Sequence, residues 1–489
     1  MTFSTLANTL IKTLGLGLVS VSLLSGCGKE KYQAKPLEPS QISAKLQNKD
    51  ATSEEFKSYL IKQGFKESDL PFANWSLNEL TLCALFYHSK LDVAKAQLAL
   101  ANANLETAGL KHNIALSGNF ARSNQANGDI SPWAYGLNVE IPIETSNKRN
   151  IRIEEAQHLV EVARIDVADV AWQLRSKIAN DLLRYHENLT QVQALSKELK
   201  QKDVIVNLIQ KRVQLGMLSN TELHAAKLQQ QKVLFALNAE QAKTAEIRAT
   251  LAADVGLTDK QFSKLTLKPL DIDATLTQQA AYLKAPTAQK LQESALLNRL
   301  DIRRSLEKYA AAEANIKLEV AKQTPDISLN PGYAFEFGDK VWSLGFTTLL
   351  NLLNKNPTLI NEATKLREIE GAQFEALQAK VIGDLEQNLA IYASNSQKLK
   401  QIKEYQETQL AFESKIQRQF DAGLVDKLEL TQNQLNTTFI EQQLVVAQFS
   451  HLKAALTLED MMQRPIFDDF SLITKFSESA STEMVGTSP

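Results

Sequence analysis

The sequence predicts a mainly α-helical protein made of two tandem copies of one unit, each with long coiled-coil helices and a short β portion. Three observations support this prediction. The 489 residues include only 18 glycines and 12 prolines, and Ala, Leu, Gln, Lys and Glu dominate the middle of the chain, as in long helices. Similar motifs recur in both halves at a nearly constant separation. Apolar residues in the helical stretches repeat with heptad spacing.

The internal repeat appears as pairs of motifs that occur in the same order in both halves. The members of each pair lie about 207–209 residues apart, which chance rarely produces. The pairs are Leu91-Asp92-Val93 with Leu300-Asp301-Ile302, Trp133 and Gly136 with Trp342 and Gly345, Asn147-Lys148 with Asn354-Lys355, and Gly216 with Gly423. The chain is therefore predicted to be a duplication.

Both copies predict the same succession of elements. A helix over 76–111 in the first copy, and over 287–323 in the second, leads into a strand–turn–strand segment. A very long helix follows over 147–215 and 357–422, then a turn and a shorter helix over 219–256 and 426–461. At 1.5 Å per residue the long helices reach on the order of 100 Å. We expect the two shorter helices of a unit to lie end to end alongside its long helix.

Heptad patterns identify the coiled-coil limbs. One pattern runs along the end of the first long helix and another along the last helix of the chain. The apolar positions are Leu189, Val192, Leu195, Leu199, Val206 and Val213 in the first, and Leu428, Leu435, Phe439, Val446, Phe449 and Leu456 in the second.

The strands are inferred from alternation of apolar with small or polar residues. The alternating apolar or aromatic residues include Tyr135, Leu137, Val139 and Ile141 in the first copy, and Tyr333, Phe335 and Phe337 in the second. Four strands cannot close a membrane barrel, which needs at least about eight, so other chains would have to supply the rest. A soluble sheet packed on helices is the alternative at this point.

The N-terminus predicts an exported lipoprotein. Residues 1–26 contain Lys12 and an apolar run that is too short to span a bilayer, followed by Leu24-Ser25-Gly26-Cys27. This pattern resembles a bacterial lipobox, in which Cys27 is lipidated and becomes the mature N-terminus; a plain signal peptide with an incidental cysteine is the alternative. Gly28, rather than Asp, favours delivery to the outer membrane. Residues 27–75 are expected to form a lipidated tether or an equatorial segment.

Composition and motifs exclude several classes of function. With 54 basic and 56 acidic residues the net charge is −2, which gives no field for binding nucleic acid. No phosphate loop, dinucleotide fingerprint, nucleophile elbow or paired-histidine metal motif is present. We therefore predict no enzyme, no cofactor and no metal site. Cys83, among apolar residues, is expected to be a small buried hydrophobe.

The order of short motifs resembles the TolC-like outer-membrane efflux family, over about residues 75–460. The motifs are Trp75-Ser76-Leu77-Asn78-Glu79-Leu80, Leu91-Asp92-Val93-Ala94, Ile141-Pro142-Ile143, Arg212-Val213-Gln214-Leu215-Gly216, Arg299-Leu300-Asp301-Ile302-Arg303, Pro325-Asp326-Ile327-Ser328-Leu329 and Gly423-Leu424. The stretch Ile143-Glu144-Thr145, with Lys148 and Arg152, is most similar to the subgroup paired with heavy-metal pumps.

The resemblance implies a homotrimer in which three chains of four strands form a twelve-stranded barrel and the helices form a periplasmic duct. The expected organisation is a first repeat over 76–286 with strands at about 114–142, a second over 287–461 with strands at about 327–349, and a tail over 462–489. Implied partners are outer-membrane lipid, a periplasmic membrane-fusion adaptor and an inner-membrane transporter. The resemblance does not indicate the cargo.

The resemblance also places functional residues at the two helical hairpin tips. Adaptor docking is expected at Gly216, Met217, Leu218, Gly423, Leu424 and Val425, although these could equally be structural turns. Glu222 and Glu429 match acidic residues that line the closed periplasmic aperture, and a solvated coil face is the alternative. Phe420 lacks the hydroxyl of the aromatic found there in the family, and Val425 replaces a basic residue, so the usual locking contacts are in doubt.

The function expected from the sequence is the outer-membrane exit duct of a tripartite efflux pump, which passively conducts drugs, toxic compounds or metal ions. The protein is expected in the outer membrane, lipid-anchored and extending into the periplasm. The alternative from another class is a lipid-anchored coiled-coil scaffold without a pore. A hydrolase on a helical stalk lacks any catalytic group of residues.

Overall fold

A computed structural model describes residues 32–124, 128, 130–284, 288–349 and 356–464. The predicted signal peptide 1–26, the lipidation site Cys27, Asn354-Lys355 and most of the tail lie outside the described residues. The structure divides into two units, Met1–Asn48 and Lys49–Pro489. The described part of the first contains only helix α1, Pro39–Gln47.

The larger unit contains four strands and a series of helices that differ widely in length. The first half contains α2 (Glu54–Lys62), α3 (Leu77–Tyr87), α4 (Ser89–Ala108), β1 (Ala115–Arg122), β2 (Trp133–Ile143), α5 (Lys148–Gln214), α6 (Asn220–Val255), α7 (Asp259–Phe262) and α8 (Ile272–Lys284). The second half contains α9 (Ala288–Asn298), α10 (Leu300–Ala321), β3 (Ile327–Glu336), β4 (Asp339–Thr348), α11 (Pro357–Asp421) and α12 (Lys427–Met462). Helices α5 and α11 have 67 and 65 residues, which confirms the predicted very long helices.

The helix predicted ahead of each strand pair is broken near its middle. In the first copy the break is at His88, whose backbone is extended; its N–H donates to the carbonyl of Ala84 and its ring accepts from the N–H of Lys90. In the second copy it is at Arg299, whose guanidinium binds Asp301 and the carbonyl of Met461. Neither break involves Gly or Pro, so no helix-ending residue marks its position in the sequence.

The segment before Trp75 is folded from Lys49 onward, which makes the tether interpretation wrong for that part. Phe56 on α2 and Trp75 are 1% and 3% exposed and pack with Cys83, Leu251 and other residues of α3, α5 and α6. The ammonium of Lys49 donates to the carbonyls of Tyr87 and Gly256 at 2.5 and 3.3 Å, so it caps the C-terminal ends of two helices. Burial of aromatic residues explains why this segment docks.

Gly256 allows α6 to end directly against the break between α3 and α4. Its φ is +82°, and a Cβ there would lie 3.0 Å from the carbonyl carbon of Tyr87 and 3.1 Å from His88. A side chain would therefore meet backbone that cannot move aside. Residues 257–271 continue from this point, and Trp75 pairs with Leu267 through an isolated parallel bridge.

The coiled-coil prediction is confirmed for the first limb and partly wrong for the second. Leu195 packs with Val233 and Leu237 of α6, beside Val192 and Leu199. In α12, however, Phe439 and Val446 are exposed. The buried face of this helix carries polar residues because α12 packs against both α5 and α11, and the hydroxyls of its buried threonines bond to carbonyls one turn earlier. The buried polar residues of α12 include Thr431, Asn433, Thr437, Thr438 and Gln442.

A buried ion pair joins the two halves of the chain. Arg175 on α5 contacts Glu459 on α12, and their side chains are only 3% and 2% exposed. Arg175 also lies over the ring of Trp172, with the guanidinium carbon 5.3 Å from the ring centroid. The indole N–H of Trp172 donates to Asp460 at 2.8 Å. The long helix of the first copy is thus bonded to the last helix of the second.

We expect Glu459→Gln to lower the free energy of unfolding by about 3–5 kcal/mol, because it removes the charge of the carboxylate that is buried against the Arg175 guanidinium. Glu441→Gln is the matched control, since Glu441 pairs with Lys197 in solvent at 2.5 Å and should cost less than about 1 kcal/mol. Denaturant unfolding followed by far-ultraviolet circular dichroism measures both. Equal midpoints for the two variants would contradict the role given to Arg175.

A second buried carboxyl lies at the end of α6. Asp254 is 4% exposed, contacts Lys177, and faces the carboxyl of Asp181. Burial and Asp181 raise the pKa of Asp254 to about 6, although Lys177 opposes the shift. Because the folded chain holds this proton more tightly than the unfolded chain, the ionised group destabilises the fold above that pKa.

We therefore expect the fold to lose on the order of 3 kcal/mol as the pH rises from about 4 to above 6, as the raised pKa of Asp254 requires. Asp254→Asn should match the unchanged chain at pH 4, be more stable at pH 8, and show a flatter pH profile between them. Thermal unfolding across this pH range provides the measurement. An unchanged slope would mean that Asp254 titrates normally.

Candidate functional site: the four-stranded sheet and the hairpin tips

The four strands form one antiparallel sheet in the order β1-β2-β3-β4. Each neighbouring pair is antiparallel, and the central pair, β2 with β3, joins the two copies of the unit. The outer edges of β1 and β4 have no strand beside them in the described chain. The sheet therefore presents two open edges, which can pair with further strands.

One face of this sheet is apolar. The pairing places Leu116, Phe120, Tyr135 and Phe335 on the same side as the rest of the alternating apolar set, because directly opposed residues point the same way. The residues of this apolar face are Leu116, Gly118, Phe120, Arg122, Trp133, Tyr135, Leu137, Val139, Ile141, Ile143, Ile327, Leu329, Pro331, Tyr333, Phe335, Lys340, Trp342, Leu344, Phe346 and Thr348. Trp342 is 80% exposed and Phe346 75%, so the large side chains are not covered by the helices.

The opposite face of the sheet is polar or lined by small residues. Its members are Ala115, Ser117, Asn119, Ala121, Ala134, Gly136, Asn138, Glu140, Pro142, Ser328, Asn330, Gly332, Ala334, Glu336, Asp339, Val341, Ser343, Gly345 and Thr347. Gly136 leaves room for the amide of Asn119, and Gly332 leaves room for Ser343 and Asn138. The predicted alternation is confirmed except at Phe337, which lies in the turn after β3 with φ of +51°. The alternation separates two faces of opposite polarity.

Aromatic residues of the apolar face gather toward the hairpin turns, away from the helices. Ring pairs form across the strands at centroid distances of 5.1 Å for Phe120 and Trp133, and 5.0 Å for Tyr135 and Phe335. Tyr333 and Trp342 are 4.8 Å apart. Apart from Phe346, the large apolar residues in the half of this face nearest the helices are aliphatic. Such an aromatic band is typical of a membrane–water interface.

Charged residues fix the sheet to the helices where β2 ends. Lys148, 6% exposed, donates to the carbonyl of Thr324 at 2.6 Å and to Asp326 at 2.7 Å. The N–H and hydroxyl of Thr145 also bond to Asp326. Arg152 contacts Glu144 and lowers the pKa of that carboxyl. The motif quoted for the heavy-metal subgroup therefore has a structural role here, as the joint between strands and helices.

The two hairpin tips have nearly the same geometry. Gly216 and Gly423 both have φ of +73°, a conformation that favours glycine. The N–H of Met217 bonds to the carbonyl of Arg212 at 2.8 Å, and that of Leu424 to the carbonyl of Gln419 at 2.8 Å. These bonds close the ends of α5 and α11 in the same way. The predicted turns are therefore present at both positions.

Apolar side chains project from both tips. Met217 is 70% and Leu424 75% exposed, whereas Leu218 and Val425 are half-buried. Exposed apolar residues at the end of a long helical hairpin are a feature of interaction surfaces. The pattern agrees with a docking role for these residues, which stays a prediction.

The two predicted aperture carboxylates have different surroundings. Glu222 accepts from the N–H of Ser219 at 2.8 Å and completes a capping box at the start of α6. Asp426 caps α12 instead, accepting from the N–H groups of Leu428 and Glu429 at 2.8 and 3.0 Å. The side chain of Glu429 is exposed, and no described residue forms a hydrogen bond or ion pair with it. Glu222 is thus partly a structural residue and Glu429 is not.

An ion pair that the sequence did not predict joins the two tips. Arg212, four residues before the first tip glycine, contacts Asp426 at 2.5 Å. The backbone N–H of Glu429 and the guanidinium of Arg212 together lower the pKa of Asp426. Phe420 lies under the ammonium of Lys427, 5.2 Å from the ring centroid. The duplication aligns Asp426 with Ser219 and so suggests a cap, but no sequence signal pairs it with Arg212.

Two classes of site are absent from the part of the chain that the structure describes. No group of three or more His, Cys, Asp or Glu residues there is arranged to hold a metal ion. Among the same residues, none of the helices combines the length and the apolar character needed to cross a bilayer.

This architecture is similar to that of a known protein family and of several solved structures. Residues 88–257 match the sequence model of the family described as Outer membrane efflux protein. A search of curated proteins gives no match. Several solved structures have a similar fold at low sequence identity.

Three of these structures illustrate the similarity. CusC, a transmembrane channel, is 17% identical with a TM-score of 0.64; the match covers 81% of this chain and 93% of that one. The outer membrane protein VceC from Vibrio cholerae is 16% identical with a TM-score of 0.61, covering 80% and 96%. The CmeC outer membrane channel from Campylobacter jejuni is 14% identical with a TM-score of 0.61, covering 93% and 97%.

At 14–17% sequence identity, the similar structures establish the fold alone. The family model adds an independent match in sequence over residues 88–257. Together they confirm the resemblance inferred from the motif order. The chain has the fold of the TolC-like outer-membrane efflux channels, and its residues 88–257 carry the sequence pattern of that family.

Proposed function

We propose that this protein is the outer-membrane exit duct of a tripartite efflux pump. Three copies would form a twelve-stranded barrel in the outer membrane, and their helices would form a passive conduit across the periplasm. A lipid on Cys27 would anchor each copy. A membrane-fusion adaptor would dock at the hairpin tips and connect the duct to an inner-membrane transporter, which would select the cargo.

The observation that carries this proposal is the four-stranded sheet with one exposed apolar face, one polar face and two open edges. An apolar face of this size in water would be an aggregation hazard, whereas hydrocarbon would cover it. Open edges are not tolerated in hydrocarbon, so copies would have to pair β4 with β1 of the next copy. The polar face would then line the lumen.

The dimensions of the sheet agree with this arrangement. Strand β2 has 11 residues, so the ten steps between its first and last residue, at about 3.3 Å each, span roughly 33 Å. With a tilt of about 40° this corresponds to an apolar band about 25 Å tall, the height typical of outer-membrane barrels. The scaffold alternative gives no reason for an uncovered apolar face that follows the strand pleat through both copies.

The test is a pair of neighbouring substitutions on β2 that differ only in the face they occupy. Leu137→Lys puts a charge on the face assigned to lipid and should cost about 2–4 kcal/mol, which would greatly reduce insertion. Asn138→Lys puts the same charge on the face assigned to the lumen and should insert normally. Outer-membrane fractionation and single-channel currents in planar bilayers measure the two effects.

Discrete currents from the unchanged protein, retained by Asn138→Lys and lost with Leu137→Lys, would support the duct. A well-folded protein that remains monomeric and gives no current would favour the scaffold. Equal insertion of both variants would mean that the two faces are wrongly assigned.

We further expect Glu222 and Glu429 to set a preference for cations at the periplasmic end, because three copies would form a ring of carboxylates there. The double variant Glu222→Gln, Glu429→Gln should lower cation selectivity, while Gln at position 222 can still complete the capping box. Reversal potentials under a salt gradient provide the measurement. The control is Glu246→Gln with Glu407→Gln, which removes two exposed charges from α6 and α11 away from the tips. Identical selectivity in both double variants would contradict the assignment.

A further inference from the structure

The charges of the sheet are separated by sign between its two faces. Within the four described strands the two cations, Arg122 and Lys340, both belong to the apolar face. The three anions, Glu140, Glu336 and Asp339, all belong to the polar face. A cation on a lipid-facing surface is costly unless it lies at the interface, where it can meet an anionic group.

Both cations lie at the turn end of the apolar face, beyond the aliphatic rows. Arg122 is the last residue of β1 and is directly opposite Trp133. Lys340 is the second residue of β4 and is opposite Phe335. They therefore flank the aromatic band, which marks the level where headgroups begin.

The aromatic band also holds Arg122 in place. Its guanidinium carbon lies 5.0 Å from the centroid of the Trp133 ring, and that ring contacts Phe120. Stacking of this kind orients the planar guanidinium and leaves its N–H edges available, which suits bidentate binding of phosphate. Neither cation forms an ion pair with a described residue.

The position of the two cations on the sheet matters if copies assemble. Arg122 lies on one edge strand and Lys340 on the other, with Arg122 one row nearer the turns than Lys340. Pairing of β4 with β1 of the next copy would put Lys340 of one copy and Arg122 of its neighbour on adjacent strands, at the same end of the apolar face. Each junction would then carry a cation pair at its outer rim.

We propose that Arg122 and Lys340 form a binding site for the phosphate groups of an anionic lipid in the outer leaflet, at each junction between copies. This inference rests on the proposed function, because it needs the barrel and its orientation. Lipid phosphates would neutralise the two cations, and the acyl chains would lie along the apolar face below. The lipid would thereby bridge neighbouring copies.

The test uses the full-length purified protein and lipid A that carries two phosphates, compared with the same lipid after removal of its phosphates. Native mass spectrometry measures the bound lipid, and planar bilayers measure channels from the same sample. We expect Arg122→Gln with Lys340→Gln to weaken binding of the phosphorylated lipid about 25-fold, roughly fivefold for each cation, and to abolish the preference for it. Millimolar inorganic phosphate should not displace the lipid.

Lys398→Gln with Lys415→Gln is the matched control, since it removes two exposed cations from α11 and should leave lipid binding unchanged. Equal binding by the unchanged protein and by the Arg122, Lys340 variant would overturn the inference, as would full displacement by inorganic phosphate. If either of these two results is accompanied by normal channel currents, the lipid site is wrong but the proposed function survives. Phosphate-dependent binding by assembled copies that give no current would support the lipid site and the barrel, and would contradict only conduction through it.

Discussion

The pairing of Arg175 with Glu459 is the contact on which the arrangement of the two halves depends. A charge buried to this degree is stable only with its partner, so α5 and α12 are held at one relative position. Trp172 and Asp460 extend the contact along the same helices. With these helices fixed side by side, β2 and β3 meet as neighbours above them. The pairing of β2 with β3, which unites the four strands into one sheet, joins the same two halves of the chain.

The sheet brings together two properties that are rarely combined in one small element. Its side chains alternate between a face suited to hydrocarbon and a face suited to water, and its charges follow the same division by sign. The joint at Lys148 and Asp326 ties the strands to the start of α5 and to the loop before β3, so the faces keep their orientation relative to the helices. A single four-stranded element thereby carries two faces of opposite polarity in a fixed orientation to the helices.

Much of the fold was predictable because the sequence patterns that specify its strands, tips and long helices are local and periodic. The strands follow from an alternation of period two, the tips from glycines that adopt positive φ, and the long helices from sustained heptads. The breaks at His88 and Arg299 were not predictable, because caps made by ordinary residues leave no compositional mark. The polar seam of α12 was also missed, since Thr437 and Thr438 satisfy their hydroxyls within their own helix and can then be buried. The link between Arg212 and Asp426 depends on how the two hairpins are placed, which no single stretch of sequence encodes.

The burial of Cys83 has a consequence for the redox chemistry of the chain. It is fully buried in the first core, and burial raises the pKa of its thiol far above the ordinary value. Such a thiol neither ionises nor meets oxidants, so it is inert in an oxidising compartment. If Cys27 carries lipid, as proposed, the mature chain has no other sulfhydryl. Its maturation would then need no disulfide-forming enzyme, and copies crowded together during export could not become covalently cross-linked.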